Sequence, residues 1–318
     1  MNLLQECEGA KRIIISGHVR PDGDCVGACL SMWQFLSKKL PGTDVKVYLE
    51  KPADIFADLL GFAEIVSDFP ETEPVDVCIA LDCNEERLGE AVKYFRPAKK
   101  RINIDHHVSN TGCGDVNLIM PEIGSTCEVL YGLMEEDCDY ELAKALYTGI
   151  IHDTGVFQYS NTTPRTLKIG AKLISFGFDF PRLIEETFYE RTFLQTKLLG
   201  KVLTECKQYL DGQCVVGVID CAAMENFGAT SKDLDGIVNH LRNVKGAHCA
   251  IFLHENKPGE YKISLRSDQY VNVSKVAVSF GGGGHVRAAG CTLRGSADEC
   301  TDKLLACIRE ELAERRAD

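Results

Sequence analysis

The chain has 318 residues, enough for about two domains with cores of their own. Lys and Arg number 35 and Asp and Glu 47, a net charge of −12, with 45% hydrophobic and 26% charged residues. That balance excludes long disorder, and the acidity excludes a protein that coats long nucleic acid through a broad cationic surface, while a small phosphorylated ligand remains compatible with it.

Strand-like and helix-like segments alternate in the first half. Residues 12–16 (RIIIS) form a short β-branched run that predicts a strand. Residues 24–39 place Val26, Cys29, Leu30, Trp33 and Leu36 at helical spacing, with Asp24 positioned as a cap. Residues 44–49, 75–81 and 99–104 predict further strands, and helical patterns dominate from about 125 to 205. Short buried strands alternating with helices imply a mainly parallel sheet with helices on both faces, whose ligands bind beyond the carboxyl ends of the strands.

A second pattern begins near residue 201. Residues 201–210 and 213–219 flank Asp211-Gly212, a hairpin signal. A helix over 231–243, strands over 247–254 and 260–266, a helix over 272–279, a glycine run, a strand over 288–294 and a helix over 297–314 follow. The expectation is a smaller mixed α/β domain. The division expected is a first, catalytic domain over 1–188, a helical linker over 189–200 and a second domain over 201–318, with the active site in the cleft between the two domains.

The 15 cysteines are odd in number and include no C-x-x-C pair, which fits neither a disulfide framework nor a zinc ribbon. The reading is a cytoplasmic protein with reduced thiols. No apolar run approaches a membrane span of about 18 residues, so no membrane partner is expected.

The polar residues at the predicted strand ends carry the functional signal. His18, Asp22 and Asp24 fall within seven residues after the first strand. Asp82 ends an apolar strand, Asp105, His106 and His107 end another, and His152, Asp153, Thr154 and Gly155 end a helical stretch. Each motif alone also reads as turn or cap chemistry. Together they crowd carboxylates and imidazoles at successive ends of one sheet, and crowded carboxylates repel unless cations compensate. Two divalent metals supply that compensation. A mixed His/carboxylate shell suits Mn²⁺, Fe²⁺ or Co²⁺, and admits Mg²⁺.

In this order the motifs resemble the DHH phosphoesterases, and the segment Gly281, Gly282, Gly283, Gly284, His285 is similar to the hallmark of the DHH-associated C-terminal domain. Ser264 to Ser267 (SLRS) and Ala288-Ala289-Gly290 fit that domain too, and the likeness runs from about 12 to 312. Within the family the chain most resembles the small nanoRNase/pAp phosphatases, where pAp is 3′-phosphoadenosine 5′-phosphate. The stretches TGIIHDTGVFQYSNTTPRTL and IVNHLRNVKG carry that likeness.

The resemblance implies His18, Asp22 and Asp82 on one metal, and Asp24, Asp82, His106 and Asp153 on the other. It implies Asp105 orienting a ligand and His107 facing the scissile phosphate as contact or proton donor. Mn²⁺ is the expected metal, with Mg²⁺ or Co²⁺ admitted. Arg266 is implied as a contact to substrate phosphate or nucleotide. Four glycines expose backbone N–H groups that can approach an anion, and His285 and Arg287 follow at once. The substrates expected are RNA of about two to five nucleotides, including pApA and pGpG, or pAp, and not long nucleic acid. An inorganic pyrophosphatase or exopolyphosphatase is the alternative, and an RNA-binding module without catalysis a more distant one. A homodimer is compatible with all three.

Overall fold

The structure is a computed structural model that describes residues 2–71 and 74–314. It divides into two compact units, Met1–Glu190 and Arg191–Asp318.

The first unit is built on six parallel strands: β1 (Arg12–Ser16), β2 (Asp44–Tyr48), β3 (Ile65–Val66), β4 (Val77–Leu81), β5 (Lys100–Asp105) and β6 (Val116–Ile119), in the order β3-β2-β1-β4-β5-β6. Every residue of β4 is buried because the period-2 alternation feeds two apolar layers. Ile13, Ile15, Ile79, Leu81, Ile102 and Ile104 face one layer. Ile14, Cys78 and Ala80 face the other, against Tyr94 and Phe95. Truncating a fully buried isoleucine such as Ile79 to Ala is expected to cost about 2–5 kcal/mol.

Four helices matter for the site. Helix α1 (Gly23–Lys39) is capped by Asp22, whose Oδ1 accepts from the Asp24 and Cys25 amides at 3.1 Å each. The cap thus falls two residues before the one expected from the sequence. Helix α2 (Thr126–Met134) is capped by Ser125, α3 (Tyr140–Asp153) by Asp139, and α4 (Pro164–Ile174) by a Thr163/Thr166 capping box with Pro164 in the first turn.

The second unit holds a mixed six-stranded sheet: β7 (Lys207–Tyr209), β8 (Cys214–Ile219), β9 (Cys249–Lys257), β10 (Glu260–Ser267), β11 (Gly283–His285) and β12 (Ala288–Arg294), in the order β11-β12-β10-β9-β8-β7. Only β8 and β9 pair in parallel. Helices α5 (Phe193–Glu205), α6 (Ile237–Arg242), α7 (Val273–Ser279) and α8 (Ala297–Glu314) belong to it, as does a short helix over Cys221–Phe227.

Three expectations need correction. Residues 201–205 are helical, because the Thr192/Gln195 capping box starts α5 and its apolar stripe runs through Leu198 to Val202. The helix expected over 231–243 is two pieces, split at Gly236, which takes φ +79°. The glycine run is partly a strand, since Gly283 and Gly284 pair with Gly290 and Ala289. A Cβ on Gly282 would lie 2.2 Å from the Gly290 carbonyl oxygen, so the glycine permits a close backbone approach that a side chain would block.

All fifteen cysteines are free thiols. Among the described residues no helix is long and apolar enough to cross a membrane.

Candidate metal centre

Strands β1, β4 and β5 are parallel neighbours, so their carboxyl ends lie along one edge. β1 pairs with β2 on one side and β4 on the other, which makes the β1/β4 boundary the switch point where such sheets bind ligands. His18 follows β1 by two residues, Asp82 follows β4 directly, and β5 ends on Asp105 before His106 and His107. Asp22 and Asp24 come from the start of α1, and Asp153 is the last residue of α3.

These residues converge. Ligand atoms of His18, Asp22 and Asp82 lie within 4.8 Å of one another, as do those of Asp24, His106 and Asp153. Asp82 stands between the two sets. Its Oδ2 is 3.4 Å from His18 Nε2, and its Oδ1 is 3.5 Å from His106 Nε2. His106 Nε2 also lies 2.8 Å from Asp153 Oδ2 and 3.9 Å from Asp24 Oδ2, and His18 Nε2 lies 3.5 Å from Asp22 Oδ1. Asp82 takes the left-handed conformation, φ +60°, which aspartate tolerates better than most side chains.

The orientation of both imidazoles is fixed from behind. His18 Nδ1–H donates to the Val19 carbonyl at 2.9 Å, and His106 Nδ1–H donates to the Ile123 carbonyl at 3.2 Å. Each bond leaves Nε2 turned toward carboxylates. Both Nε2 atoms are buried and neither makes a hydrogen bond. In a neutral ring Nε2 is then an acceptor facing acceptors, an arrangement that calls for a cation between them.

The electrostatics agree. Burial pushes Asp82 well above the usual carboxylate range, and the charges of Asp24, Asp153 and Asp22 add to it. Asp24 rises to about 6, through burial and then the Asp153 charge. Burial opposes protonation of His106, but the Asp153, Asp24 and Asp82 carboxylates outweigh it and lift the ring to about 10. His18 rises to about 9 against the same penalty, chiefly through Asp22. The donors present therefore fit two divalent cations: mixed imidazole and carboxylate, mutually repelling when ionised, with buried ring nitrogens aimed inward.

Asp105 also groups with Asp82, His106 and His107 within 4.8 Å, but it accepts more hydrogen bonds than any other carboxylate of the centre. Its Oδ1 accepts from the His106 amide at 2.6 Å, the His107 amide at 3.0 Å and His107 Nδ1 at 2.7 Å, while Asn110 Nδ2 donates to Oδ2 at 2.6 Å. Burial works against its charge, yet the bonds with His107 and Asn110 leave it below the usual carboxylate range.

Sequence reasoning missed three supports. Thr126 Oγ1 donates to Asp82 Oδ1 at 2.9 Å, and the Thr126 and Cys127 amides donate to Asp24 at 2.6 and 3.0 Å. The first turn of α2 thus holds both carboxylates, as a helix N-terminus favours. Asn110 holds Asp105, and Asn161 Nδ2 donates to the Asp153 carbonyl at 3.1 Å. Ser-Thr before an apolar helical run signals a helix start, but nothing local names the carboxylates it meets.

In the second unit, Arg266 lies on β10, where its Nε donates to Asn239 Oδ1 at 3.1 Å and its Nη1 to the Leu265 carbonyl at 3.0 Å. The register aligns His285 with Ala288, and Ala288 with Arg266, in one cross-strand row. The side chain of His285 lies outside the described residues. Gly281, Gly283, Gly284 and Arg287 are exposed, and Gly282 is half-buried.

Residues 12–150 match the DHH family, N-terminal domain, and residues 211–314 match the DHHA1 domain. The chain belongs to the DHH family of phosphoesterases. It is 33% identical to the bifunctional oligoribonuclease and PAP phosphatase NrnA of Thermus thermophilus, over 98% of this chain and 92% of that protein. It is 28% identical to the protein of the same description from Bacillus subtilis, over 92% of each chain. Its fold is similar to the crystal structure of an exopolyphosphatase-related protein from Bacteroides fragilis, with a TM-score of 0.89, 26% identity, and coverage of 97% of this chain and 95% of that one.

Proposed function

We propose that this chain hydrolyses phosphoester bonds in very short RNA, including dinucleotides such as pApA and pGpG, and in pAp to give AMP. The observation that carries the reading is Asp82 standing between two buried imidazole nitrogens, each turned toward a separate carboxylate set. Similarity over nearly the full length to proteins described as oligoribonucleases and PAP phosphatases supports the substrate class.

His18, Asp22 and Asp82 would hold one divalent cation, and Asp24, Asp82, His106 and Asp153 the other, with Mn²⁺ the expected metal. Bound cations would draw charge from the phosphoryl oxygens and make water more acidic. The remaining chemistry belongs to the chain. Asp105 orients His107 through its ring Nδ1 and leaves Nε2 as the atom that can face substrate. His107 then gives the Nε2 proton to the leaving nucleoside oxygen. Arg266 offers a planar fork to a substrate phosphate, with Asn239 restraining it. Arg287, His285 and the amides of Gly281, Gly282, Gly283 and Gly284 are further substrate contacts on this reading. The chain would act in the cytoplasm.

The test is a substrate panel of pAp, pApA, pGpG, RNA from two to five nucleotides, pyrophosphate and polyphosphate, each with Mn²⁺ and with Mg²⁺. Turnover of the nucleotides and none of the inorganic chains is expected. Turnover confined to pyrophosphate or polyphosphate would overturn the reading.

A further inference from the structure

The backbone just after Asp153 is costly. Gly155, Val156 and Phe157 take φ of +56°, +55° and +64°, three successive residues in the left-handed region. A β-branched valine is an outlier there. The turn is nevertheless firmly tied. Thr154 Oγ1 accepts from the Phe157 amide at 3.1 Å, and the Val156 amide donates to the Ile151 carbonyl at 2.7 Å. The Gln158 and Tyr159 amides both donate to the Thr154 carbonyl at 2.9 Å. Strain held this tightly beside a functional centre points to something the turn positions.

What it positions is Tyr159. The chain doubles back so that the Tyr159 ring covers the backbone of Gly155, where an added Cβ would lie 2.4 Å from the ring Cζ. Gly155 is two residues from Asp153. The ring remains 52% exposed. A second half-exposed ring is close by: Gln158 Nε2 lies 3.5 Å from the Tyr189 hydroxyl, and Tyr189 is also 52% exposed. Tyr189 packs edge-on against Phe188, with centroids 5.2 Å apart, and Phe188 packs against His152 at 5.5 Å. Aromatic contacts therefore run from His152 through Phe188 to Tyr189, and Gln158 links Tyr189 to the turn that carries Tyr159.

We propose that Tyr159, with Gln158 and Tyr189 beside it, is a nucleobase subsite of the first unit. A flat, uncharged, half-exposed ring stacks on a flat partner, and stacking accepts any base because every base has a π-face. The Gln158 carboxamide offers both a donor and an acceptor to base edges. A base seated on Tyr159 would fix the nucleotide whose phosphate reaches the cluster. The inference rests on the phosphoesterase reading and adds to it a contact that holds the base rather than the phosphate.

The test measures binding of AMP and of ribose 5-phosphate to the Mn²⁺-loaded full chain by calorimetry. The proteins are wild type, Tyr159→Ala and Tyr159→Trp, with folding checked by circular dichroism. Wild type is expected to bind AMP about tenfold more tightly than the ligand without a base. Tyr159→Ala should abolish that preference and leave ribose 5-phosphate affinity unchanged, and Tyr159→Trp should keep the preference. Weakening of both ligands alike in Tyr159→Ala would mean a structural role and overturn the proposal. So would a preference that survives the alanine, or a wild type that shows none or binds neither ligand. A wild type that prefers AMP through Tyr159 but hydrolyses no nucleotide would overturn the phosphoesterase reading alone.

Discussion

Asp105 grips His107 twice: its Oδ1 lies 2.7 Å from His107 Nδ1 and accepts the His107 amide at 3.0 Å. Because Asp105 is saturated by such bonds, it is expected to act through His107 and not as a metal ligand. Asp105→Asn should therefore lower kcat while leaving Mn²⁺ content unchanged. His107→Ala should lower kcat by about 10²–10⁴, the usual worth of a positioned proton donor. Loss of Mn²⁺ from Asp105→Asn, measured by elemental analysis, would contradict this division of roles.

The metal-free centre makes stability fall as pH rises. Asp24 is raised to about 6, and His18 and His106 to about 9 and 10, so each favours its protonated form in the folded chain. A raised group contributes fully below its unfolded value and loses that contribution as pH passes its folded value. The window opens near 3.8 for Asp24 and 6.5 for the histidines, and closes near 10. Metal-free protein should show a falling Tm across that window. Metal binding must displace those protons, so Mn²⁺ affinity should rise with pH over the same range. Calorimetry in buffers of different ionisation enthalpy would count the protons released at pH 7, and a count of zero would refute the scheme.

Asp82→Asn separates stability from function. The carboxylate is buried among Asp24, Asp153 and Asp22, and its charge is opposed by burial and by all three. Without metal, the neutral amide should raise Tm by a few degrees, the gain expected when a strained functional group is relieved. With Mn²⁺ the order should invert, because on the proposed reading the variant loses the group that stands between both cation sites. Differential scanning with and without Mn²⁺ tests both halves.

Most of the first unit could be read from local pattern. The β-branched run Arg12–Ser16 is fully formed as a central strand, and the residues after β1, β4 and β5 meet because parallel strands put their carboxyl ends on one edge. The Thr126 bond to Asp82 could not be read that way. It joins residues 44 positions apart, and only tertiary packing brings the start of α2 to the end of β4. Helix α5 shows the opposite limit. Residues 201–205 sit between a helical stripe and a hairpin signal, and the capping box at Thr192 decides the matter from nine residues upstream. Likewise β11 depends on Gly290, outside the glycine run itself.

Gly282→Ala tests the closeness of that pairing. The added Cβ would sit 2.2 Å from the Gly290 carbonyl oxygen and 2.6 Å from Cys291 Cβ, both on β12. Neither neighbour is a flexible side-chain end, so β11 must shift, at a cost of about 1–3 kcal/mol. Hydrogen exchange should quicken at Gly283 and Ala289, while exchange in β1 and β4 stays unchanged. Gly283→Ala, which meets no atom within 4 Å, is the control expected to leave exchange nearly as it was.

Thr126 offers the sharpest separation of hydroxyl from shape. Its Oγ1 donates to Asp82 Oδ1 at 2.9 Å, and its amide donates to Asp24 Oδ2 at 2.6 Å. Thr126→Val keeps the volume, the helix start and the amide bond, and removes only the hydroxyl. Asp82 Oδ1 then loses the bond that aims it beside His106, 3.5 Å away. Supports of this kind around metal ligands are worth about 10–100-fold in affinity, so Mn²⁺ binding followed by electron paramagnetic resonance should weaken by that order. Thr126→Ser should restore it, since serine returns the hydroxyl without the methyl. If valine and serine variants bind Mn²⁺ as tightly as wild type, the hydroxyl serves packing and α2 acts on the centre through its backbone alone.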